Sequence, residues 1–506
     1  MIKPTLEEAR GLAAGHTLIP IAMELFADLK TPVEVLKSIQ AGGREAYLLE
    51  SAESNERWGR HTFLGYDPVM EISGTGRGVV LKQGGVSETR EGDPHRILKE
   101  IAGAHKSPRV DSLPPFTGGF VGYFAYEYIA HIEKTLRLTG NDDVGFDDFR
   151  LMMFDKVIAF DHFRQKIFLI VNIETADLER NYIRGVTLLK DMEQRVLSPA
   201  PASAPTGSPM SPASPPSPED LARAAADAAS SFTASLTKEA FYGAVEKAKW
   251  HIREGDIFQC VPSLRFRTPF GGDLLQAYRT LRITNPSAYM FYIRFSDLQL
   301  AGASPETLVS LKDSVVSTYP LAGTCVRTED EAENEIRIRE LLNDEKELSE
   351  HDMLVDLGRN DLGKVCRFGS VKVDEYRSIK KLSHVCHIAS KVTGEIAEGF
   401  GALDVMAAVL PAGTLSGAPK KRACEIIDDI EGRKRGPYGG AIGYLDFTGN
   451  MDLCIGIRMA VLKNGFAYVQ AGAGIVEGSV PEKEYAECMH KAGAMMGALA
   501  ASGKGA

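Results

Sequence analysis

Residues 441–476 read AIGYLDFTGNMDLCIGIRMAVLKNGFAYVQAGAGIV, and this stretch decides the fold class. It contains two turn signals, residues 448–450 (TGN) and residues 464–465 (NG). An Asn-Gly pair between two apolar runs is a strong hairpin signal. The pattern therefore predicts an antiparallel meander of three strands, at Ala441–Phe447, Met451–Leu462 and Phe466–Val476.

The middle run also predicts the direction of one charged side chain. Every second residue belongs to a single apolar face: Leu453, Ile455, Ile457, Met459 and Val461. Successive side chains of a strand point to opposite faces, so Arg458 should point away from this apolar layer. Nothing in the chain alternates strands and helices with βαβ periodicity. We therefore expect an α+β fold of antiparallel β-sheets flanked by helices.

One segment of biased composition divides the chain. Residues 198–218 read SPAPASAPTGSPMSPASPPSP and hold eight of the 25 prolines. Such a segment buries too little apolar surface to offset its ordering entropy, which predicts an extended linker. We expect an N-terminal domain at 15–197, the linker at 198–232 and a C-terminal domain at 233–500.

The composition excludes several classes of protein. Of the 506 residues, 44% are hydrophobic and 25% are charged, which is usual for globular proteins. The net charge of −10 argues against a nucleic-acid binder. No apolar run approaches the ~18 residues of a membrane span, and the N-terminus lacks a signal-peptide core. Seven cysteines without a CxxC pair fit a reducing compartment, so we expect a cytoplasmic protein without membrane association.

Two predicted helices each carry a Glu-x-x-Glu pair. Glu347 and Glu350 form one pair, and Glu484 and Glu487 form the other, followed on the same face by Lys491. The i, i+3 spacing places both carboxylates of a pair on one helical face, where their repulsion favours a cation between them. Oxygen ligands without Cys or His suit Mg²⁺ better than zinc. Either pair taken alone is more often an ordinary solvated face.

Glycine-rich turns cluster in the C-terminal half, at residues 321–324, 411–414, 438–440 and 471–474. Glycine lets backbone N–H groups approach an anion closely, so these turns together with Arg458 suggest a carboxylate-binding pocket. For any one of these turns taken alone, a simple hairpin turn is the more usual interpretation. The chain contains neither a P-loop ending nor GxGxxG in a βαβ unit, and it has no Gly-x-Cys-x-Gly glutaminase elbow.

Nine runs of the C-terminal part, in order, resemble the chorismate-utilising enzymes: GDIFQCVPSLRF, NPSAYMF, GASPETLV, PLAGT, DEKELSEHDMLVDLGRNDLGKV, LPAGTLSGAPK, GPYGGAIGY, CIGIRMA and AGAGIVEGSVPEKEYAE. The resemblance extends to YLLESAE and GGFVGYFAYEY in the N-terminal part. It is nearest to the anthranilate-forming members. It implies their fold, with an N-terminal regulatory part interlocked with a C-terminal catalytic part. It also implies their reaction, in which chorismate and ammonia give anthranilate and pyruvate in the first committed step of tryptophan biosynthesis.

The resemblance assigns roles to particular residues. It implies that Mg²⁺ is held by Glu347, Glu350, Glu484 and Glu487. It implies contacts to the carboxylates of chorismate from Gly323, Thr324, Tyr438, Arg458, Gly472, Ala473, Gly474 and Lys491. Glu306 corresponds to the acid/base group at the departing hydroxyl, His387 to the group tied to pyruvate elimination, and Thr414 is expected beside them. Without the resemblance, His387 could be an acid/base group near neutral pH, but a lone histidine in a mostly apolar strand is more often a satisfied core or surface residue.

Two positions separate the sister activities within this family. Gln259 stands where water-adding members place a lysine base, and Ala322 stands where many 4-aminating members carry a lysine nucleophile. Both residues favour anthranilate as the product. The alternatives left open are a 2-amino-2-deoxyisochorismate synthase, an aminodeoxychorismate synthase component I and, as a different class, a non-catalytic tryptophan-sensing protein.

The resemblance also implies feedback inhibition by tryptophan and a partner. The inhibitor site would comprise Glu50, Ser51, Ala288, Tyr289, Met290, Gly443 and Tyr444. The chain departs from the family at Ala288, where proline is usual, and at residues 325–326, where Cys-Val replaces a frequent Arg-Pro. Because the chain has no glutaminase of its own, a glutamine amidotransferase subunit is expected to supply ammonia, in a heterotetramer of two of each subunit.

Overall fold

The computed structural model describes residues 2–40, 43–51, 59–198, 217, 219–220, 223–224, 229–328, 330–381 and 385–503. Most of the predicted linker at 198–232 lies outside these residues. Within the described ranges the chain forms 26 strands and 12 α-helices with defined bounds. None of the helices in these ranges is long and apolar enough to cross a membrane.

The first sheet has twelve antiparallel strands, drawn from both the N-terminal and the C-terminal part of the chain. Its strands in spatial order are β1 (Ile2–Lys3), β2 (Leu18–Phe26), β11 (Lys166–Glu174), β10 (Lys156–Asp161), β4 (His61–Tyr66), β3 (Ala46–Glu50), β15 (Tyr289–Arg294), β16 (Leu298–Ser304), β25 (Met459–Lys463), β26 (Phe466–Gly472), β14 (Ser263–Pro269) and β12 (Thr233–Ala234). The N-terminal and C-terminal strands meet where β3 pairs with β15.

The second sheet also has twelve strands. In spatial order they are β19 (Leu321–Val326), β21 (Val385–Glu395), β18 (Val315–Thr318), β17 (Thr307–Lys312), β24 (Met451–Ile455), β23 (Ala441–Asp446), β8 (Gly119–Phe124), β9 (Phe149–Phe154), β5 (Met70–Thr75), β6 (Gly78–Gln83) and β7 (Val86–Glu91), with β20 (Lys372–Lys381) paired to β21. The two parts of the chain meet again where β23 pairs with β8. Two short strands, β13 (Gln259–Cys260) and β22 (Gly417–Ala418), pair separately.

The helices cover the outer faces of the two sheets. They are α1 (Leu6–Leu12), α2 (Pro32–Ile39), α3 (Pro94–Gly103), α4 (Ile129–Ile132), α5 (Leu178–Leu197), α6 (Lys238–Arg253), α7 (Leu274–Thr284), α8 (Glu331–Leu341), α9 (Glu345–Gly363), α10 (Ala402–Val409), α11 (Lys420–Glu431) and α12 (Pro481–Gly503). Pro481 begins α12, as its fixed φ and missing N–H favour.

Three apolar clusters define four layers. Side chains such as Tyr47 and Phe168 of the first sheet meet Tyr123 and Met152 of the second in a central cluster, so the sheets pack face to face. One outer cluster packs α2, α5, α6, α7 and α12 on the first sheet, and the other packs α3, α9 and α10 on the second. This helix–sheet–sheet–helix arrangement confirms the predicted α+β class. Because both sheets draw strands from both parts of the chain, the two parts are interlocked.

The predicted single strand Met451–Leu462 is wrong. The chain forms β24 in the second sheet, breaks at Gly456 and Arg458, and continues as β25 in the first sheet. Gly456 donates to Gly440 O and accepts from Gly439, and a Cβ on Gly456 would lie 2.2 Å from Pro437 O. Arg458 has φ +52°, outside the β region. A long-range backbone contact therefore overrides the local alternation. Likewise the third strand ends at Gly472, earlier than predicted.

Candidate active site

A cavity of about 550 Å³ lies where α9, α12 and the ends of β19, β21 and β26 meet. It gathers residues that are far apart in sequence. Among the residues that line it are Glu306, Gly323, Thr324, Glu347, Glu350, His387, Thr414, Tyr438, Arg458, Gly472, Gly474, Glu484, Glu487 and Lys491. Of the predicted catalytic, substrate-binding and metal-binding residues, the cavity lining lacks Ala473 alone. The side chain of Ala473 is fully buried in the core, and its N–H donates to Pro262 O at 3.2 Å.

Glu306 and Thr414 form one hydrogen-bonded pair in this cavity. Glu306 lies between β16 and β17, and Thr414 lies in a short turn after α10. The Thr414 hydroxyl donates to Glu306 Oε1 at 3.0 Å. Burial raises the pKa of Glu306 to about 7, against the lowering influence of the Thr414 hydrogen bond and the Lys491 charge. A carboxyl group with such a pKa can both donate and accept a proton near neutral pH.

Thr324 and His387 form a second pair on neighbouring strands. They are register partners of β19 and β21, and Thr324 Oγ1 lies 3.0 Å from His387 Nδ1. Nδ1 also lies 3.2 Å from Gly323 O, and since a carbonyl only accepts, Nδ1 carries the hydrogen and Nε2 has a free lone pair. Burial lowers the pKa of His387, which favours the neutral base.

A bulge at Gly323 shapes this wall. The β19–β21 register shifts between Ala322 and Thr324, and Gly323 has φ +70°. A Cβ at Gly323 would lie 3.1 Å from Leu341 and 3.3 Å from Glu347 Oε2, so only glycine fits without displacing a cavity carboxylate. The bulge thereby places Thr324 opposite His387.

Arg458 and Lys491 supply positive charge beside the glycine turn. The guanidinium of Arg458 donates to Lys491 O at 3.1 Å, and Lys491 Nζ donates to Gly472 O at 3.1 Å. Lys491 also pairs with Glu487 at 2.5 Å. Burial lowers the pKa of Arg458, although nearby Tyr438 and Glu487 oppose the shift. A buried cation of this kind attracts an anionic ligand.

The four predicted metal ligands face one another across the cavity from α9 and α12. Burial raises the pKa of Glu347, and the charges of Glu350 and Glu487 contribute to the rise. Burial likewise raises the pKa of Glu484, with Glu487 contributing. Within the described residues no three His, Cys, Asp or Glu side chains approach closely enough to form a preassembled metal cage. The donor set is all oxygen, and its mutual repulsion is what a hard divalent cation relieves, so its chemistry fits Mg²⁺.

The structure adds residues that the sequence reasoning did not single out as site residues. Lys346, Gln470 and Ser479 line the cavity. Gln259 was noted in the sequence only because it stands where water-adding members of the family place a lysine. In the structure its side-chain amide donates to Glu350 Oε1 at 3.3 Å. The Glu-Lys-Glu spacing around Lys346 could have drawn attention to it, whereas Gln470 and Ser479 carry no local signal.

Arg435 is another such residue, and it ties three cavity walls together. Only 2% of it is exposed, and it pairs with Glu431. Its guanidinium donates to Leu415 O at 2.7 Å and to Val261 O at 2.6 Å, and it lies 5.6 Å from the centroid of the Tyr438 ring. Leu415, Val261 and Tyr438 all line the cavity. Arg435 therefore holds the wall without reaching the cavity itself.

A second cavity, of about 130 Å³, lies between the two sheets near the β3–β15 junction. All seven residues of the predicted inhibitor site line it: Glu50, Ser51, Ala288, Tyr289, Met290, Gly443 and Tyr444. Tyr289 donates to Asp452 Oδ1 at 2.8 Å, and burial raises the pKa of Asp452 to about 6. Glu50 accepts from Arg282 Nε at 2.6 Å. The cavity thus combines aromatic walls with two carboxylates at a place where strands from both parts of the chain meet.

Comparison with known proteins identifies relatives over the full chain. Residues 45–497 match the family model described as chorismate binding enzyme. The chain is 43% identical over 506 residues to anthranilate synthase component 1 of Acetivibrio thermocellus, covering 100% of both chains. It is 41% identical to anthranilate synthase component 1 of Pseudomonas aeruginosa, covering 98% of each.

Solved structures show the same similarity. The crystal structure of anthranilate synthase component I from Streptococcus pneumoniae TIGR4 matches with a TM-score of 0.75 and 37% identity, covering 93% of this chain and 99% of that one. The menaquinone-specific isochorismate synthase of Escherichia coli matches with a TM-score of 0.67 at 17% identity, covering 98% of each chain, and so shares the fold.

Proposed function

The chain belongs to the chorismate-binding enzyme family, and on that premise we propose that it converts chorismate and ammonia to anthranilate, pyruvate and water, the first committed step of tryptophan biosynthesis. The observation that carries the proposal is the single cavity in which the Glu306–Thr414 pair, the Thr324–His387 pair, Arg458 and four carboxylates converge. Gln259 and Ala322 support the choice of product, because neither side chain supplies the amine that the sister reactions need.

Substrate binding rests on the cationic wall. Chorismate carries two carboxylates. One is placed against Arg458 and the turn at Gly472–Gly474, beside the Tyr438 hydroxyl. The buried guanidinium favours an anion there because solvent screens it weakly. Lys491 lies beside this carboxylate site, and its positive charge offsets the negative charge of Glu487, with which it pairs.

Two proton transfers follow from the side-chain pairs. Protonated Glu306 donates to the departing 4-hydroxyl, and the Thr414 hydroxyl holds the carboxyl group in position. His387, neutral and with Nε2 free, accepts the ring proton as the enolpyruvyl group leaves as pyruvate and the ring becomes aromatic. Each transfer by a positioned group contributes about 10²–10⁴-fold to the rate.

Magnesium is the cofactor that we propose for the carboxylate set. Glu350 and Glu487 would be its most direct ligands, with Glu347 and Glu484 around them. When bound, Mg²⁺ neutralises the ring carboxylate of the substrate and withdraws electrons from the ring. Mg²⁺ usually keeps several waters and takes only one or two carboxylates directly, which is consistent with a ligand set that is not preassembled.

Ammonia supply requires a partner in this proposal. Ammonium dominates over free ammonia at neutral pH, and the chain carries no Gly-x-Cys-x-Gly nucleophile motif. We propose that a separate glutamine amidotransferase subunit binds the chain to form a heterodimer. Two such heterodimers would form a heterotetramer in the cytoplasm. Light scattering of the chain with and without that subunit tests the stoichiometry, and a mass unchanged by the subunit would contradict it.

Tryptophan is the ligand that we propose for the second cavity. A ligand held between β3, β15 and β23 contacts both sheets where strands from the two parts of the chain meet. It can therefore bias how the two sheets pack against each other. We expect tryptophan to inhibit the wild-type chain and Ser51→Phe, which fills the cavity, to relieve the inhibition. A wild-type chain that is insensitive to tryptophan would refute this part.

The decisive experiment mixes the purified chain with chorismate, MgCl₂ and an ammonium salt and follows anthranilate fluorescence. A hydroxylated or 4-aminated product, or none, would refute the assignment, and an aminated product without pyruvate would indicate a 2-amino-2-deoxyisochorismate synthase. Glu350→Gln and Glu487→Gln should each abolish turnover. Glu345→Gln on α9 and Glu482→Gln on α12 are matched controls, since both glutamates are exposed and outside the cavity lining. Equal loss in the controls would argue against the metal role.

A further inference from the structure

Two cysteines lie opposite each other beside the Thr324–His387 pair of the active-site cavity. Cys325 of β19 and Cys386 of β21 are register partners in an antiparallel pair. Directly opposed residues of such a pair have Cα atoms about 4.5–5.5 Å apart, within the range of about 4.4–6.8 Å that a disulfide spans. Cys325 also occupies one of the positions at which this chain departs from the family pattern that it resembles.

The two thiols are close enough to influence each other's ionisation. Burial raises the pKa of Cys325, and the Cys386 thiol contributes through its proximity and a side-chain hydrogen bond. All seven cysteines belong to the described residues, and six of them are buried while Cys325 is partly exposed. A small oxidant from solvent therefore reaches Cys325 first. Cys386, which is only 1% exposed, lies opposite Cys325 on the neighbouring strand.

The next register pair along the same strands is catalytic. Thr324 pairs with His387, and their side chains are 3.0 Å apart in the active-site cavity. β19 is an edge strand of its sheet and contains the Gly323 bulge, and among the described residues β21 is the strand with which it pairs. A covalent link one residue away can therefore shift Thr324 without moving the rest of the sheet.

We propose that Cys325 and Cys386 form a reversible oxidation site, and that their disulfide inactivates the neighbouring Thr324–His387 pair. The effect on turnover rests on the proposed function. With hydrogen peroxide as the oxidant, the ionised fraction of Cys325, which its raised pKa keeps small, attacks one peroxide oxygen as a thiolate. The O–O bond breaks, giving a sulfenic acid and hydroxide, which takes up a proton to become water. The Cys386 sulfur then displaces the sulfenic oxygen as a second water. In sum, two thiols and one peroxide give one disulfide and two waters. A dithiol reductant reverses the reaction by thiol–disulfide exchange.

Oxidation changes the geometry at the adjacent pair. The sulfurs move from a non-bonded contact to a bond of about 2.05 Å, and the Cβ atoms must settle at about 3.5–4.5 Å. This draws the edge strand towards β21 at Cys325 and rotates the neighbouring Thr324 relative to His387. A displacement of about 1 Å at a catalytic contact can lower a rate by about 10²-fold.

The test treats the full chain with hydrogen peroxide and then with dithiothreitol. Peptide mapping by mass spectrometry is expected to find a Cys325–Cys386 linkage after peroxide and free thiols after reduction. The ammonia-dependent kcat at saturating chorismate is expected to fall about tenfold or more on oxidation and to recover on reduction. No such linkage, or a linkage with unchanged kcat, would overturn the proposal.

Variants separate this pair from the other cysteines. Cys325→Ser and Cys386→Ala should each keep kcat unchanged after peroxide, whereas Cys366→Ala, which removes a buried cysteine bridged to Ile396 and to neither member of the pair, should remain sensitive. Loss of peroxide sensitivity in Cys366→Ala alone would overturn the assignment. Should Cys386→Ala fail to fold, Cys325→Ser decides by itself because its side chain is partly exposed.

A readout that does not depend on turnover keeps the two proposals distinguishable. With ¹⁵N-histidine labelling, the His387 imidazole signal, assigned with His387→Gln, should shift on oxidation of the wild-type chain and not of Cys325→Ser. If the reduced chain makes no anthranilate, the proposed function fails while the peptide map and this signal still decide the thiol pair. A linkage without a shift of the His387 signal overturns the coupling.

Discussion

Replacement of Glu306 by glutamine should make the folded protein more stable at pH 8 and leave its stability almost unchanged at pH 4.5. Burial raises the pKa of Glu306 from 4.5 to about 7. The folded state therefore binds the Glu306 proton more tightly than the unfolded state does. The stability that this proton contributes is present below pH 4.5 and is lost as the pH rises through 7.

The size of the effect follows from the shift. Two and a half pKa units at about 1.4 kcal/mol each correspond to about 3 kcal/mol. The carboxyl group borders a cavity that solvent enters, so we expect between about 1 and 3 kcal/mol. Glutamine is isosteric and keeps an acceptor for the Thr414 hydroxyl, so the substitution removes the ionisation and little else. The same variant should lose at least ~100-fold in kcat, since glutamine cannot donate the proton of an acid.

The assay is urea unfolding of the wild-type chain and Glu306→Gln at pH 4.5, 6, 7 and 8. The difference in the free energy of unfolding should grow with pH and level off above about 7. Glu398→Gln is the control, because it makes the same substitution at an exposed position. A Glu306→Gln difference that is the same at every pH would refute the reasoning, because the carboxyl group would then ionise equally in both states.

The remaining predictions concern the cavity walls and the pH dependence of the rate. In Gly474→Ala, the added Cβ would lie 2.6 Å from Gln259 Nε2, so the Gln259 side chain should lose its hydrogen bond to Glu350 and KM for chorismate should rise several-fold. The control is Gly493→Ala on α12, where nothing lies within 4 Å of the added Cβ. It should leave KM unchanged and increase the free energy of unfolding by about 0.5–1 kcal/mol. Arg435→Met should lower the free energy of unfolding by about 3–5 kcal/mol, measured by urea unfolding, because it leaves Glu431 buried without its charge partner; an unchanged stability would show that the pair is not needed. The wild-type kcat, corrected for the concentration of free ammonia, should fall above pH about 7 as Glu306 loses its proton, and a rate still rising at pH 9 would exclude Glu306 as the acid.

The sequence determined much of the site because its signals are local. The i, i+3 glutamate pairs face the cavity from α9 and α12, as helical periodicity requires. The turns at 448–450 and 464–465 connect strands where they were predicted. The resemblance supplied the roles of Glu306, His387 and Thr414, which no spacing rule would give, and the cavity then brought these three residues together.

The tertiary structure alone decided how these local pieces meet. Alternation along residues 451–462 predicted one strand, yet the carbonyl of Pro437 leaves room only for Gly456 and the chain crosses there from one sheet to the other. The second cavity exists because β3 pairs with β15, more than 200 residues later in the chain. The pairing of Cys325 with Cys386 depends on the register of two strands. Local sequence fixes which face a side chain takes within its own element, whereas contacts between distant segments depend on the packing of the whole core, which no local period encodes.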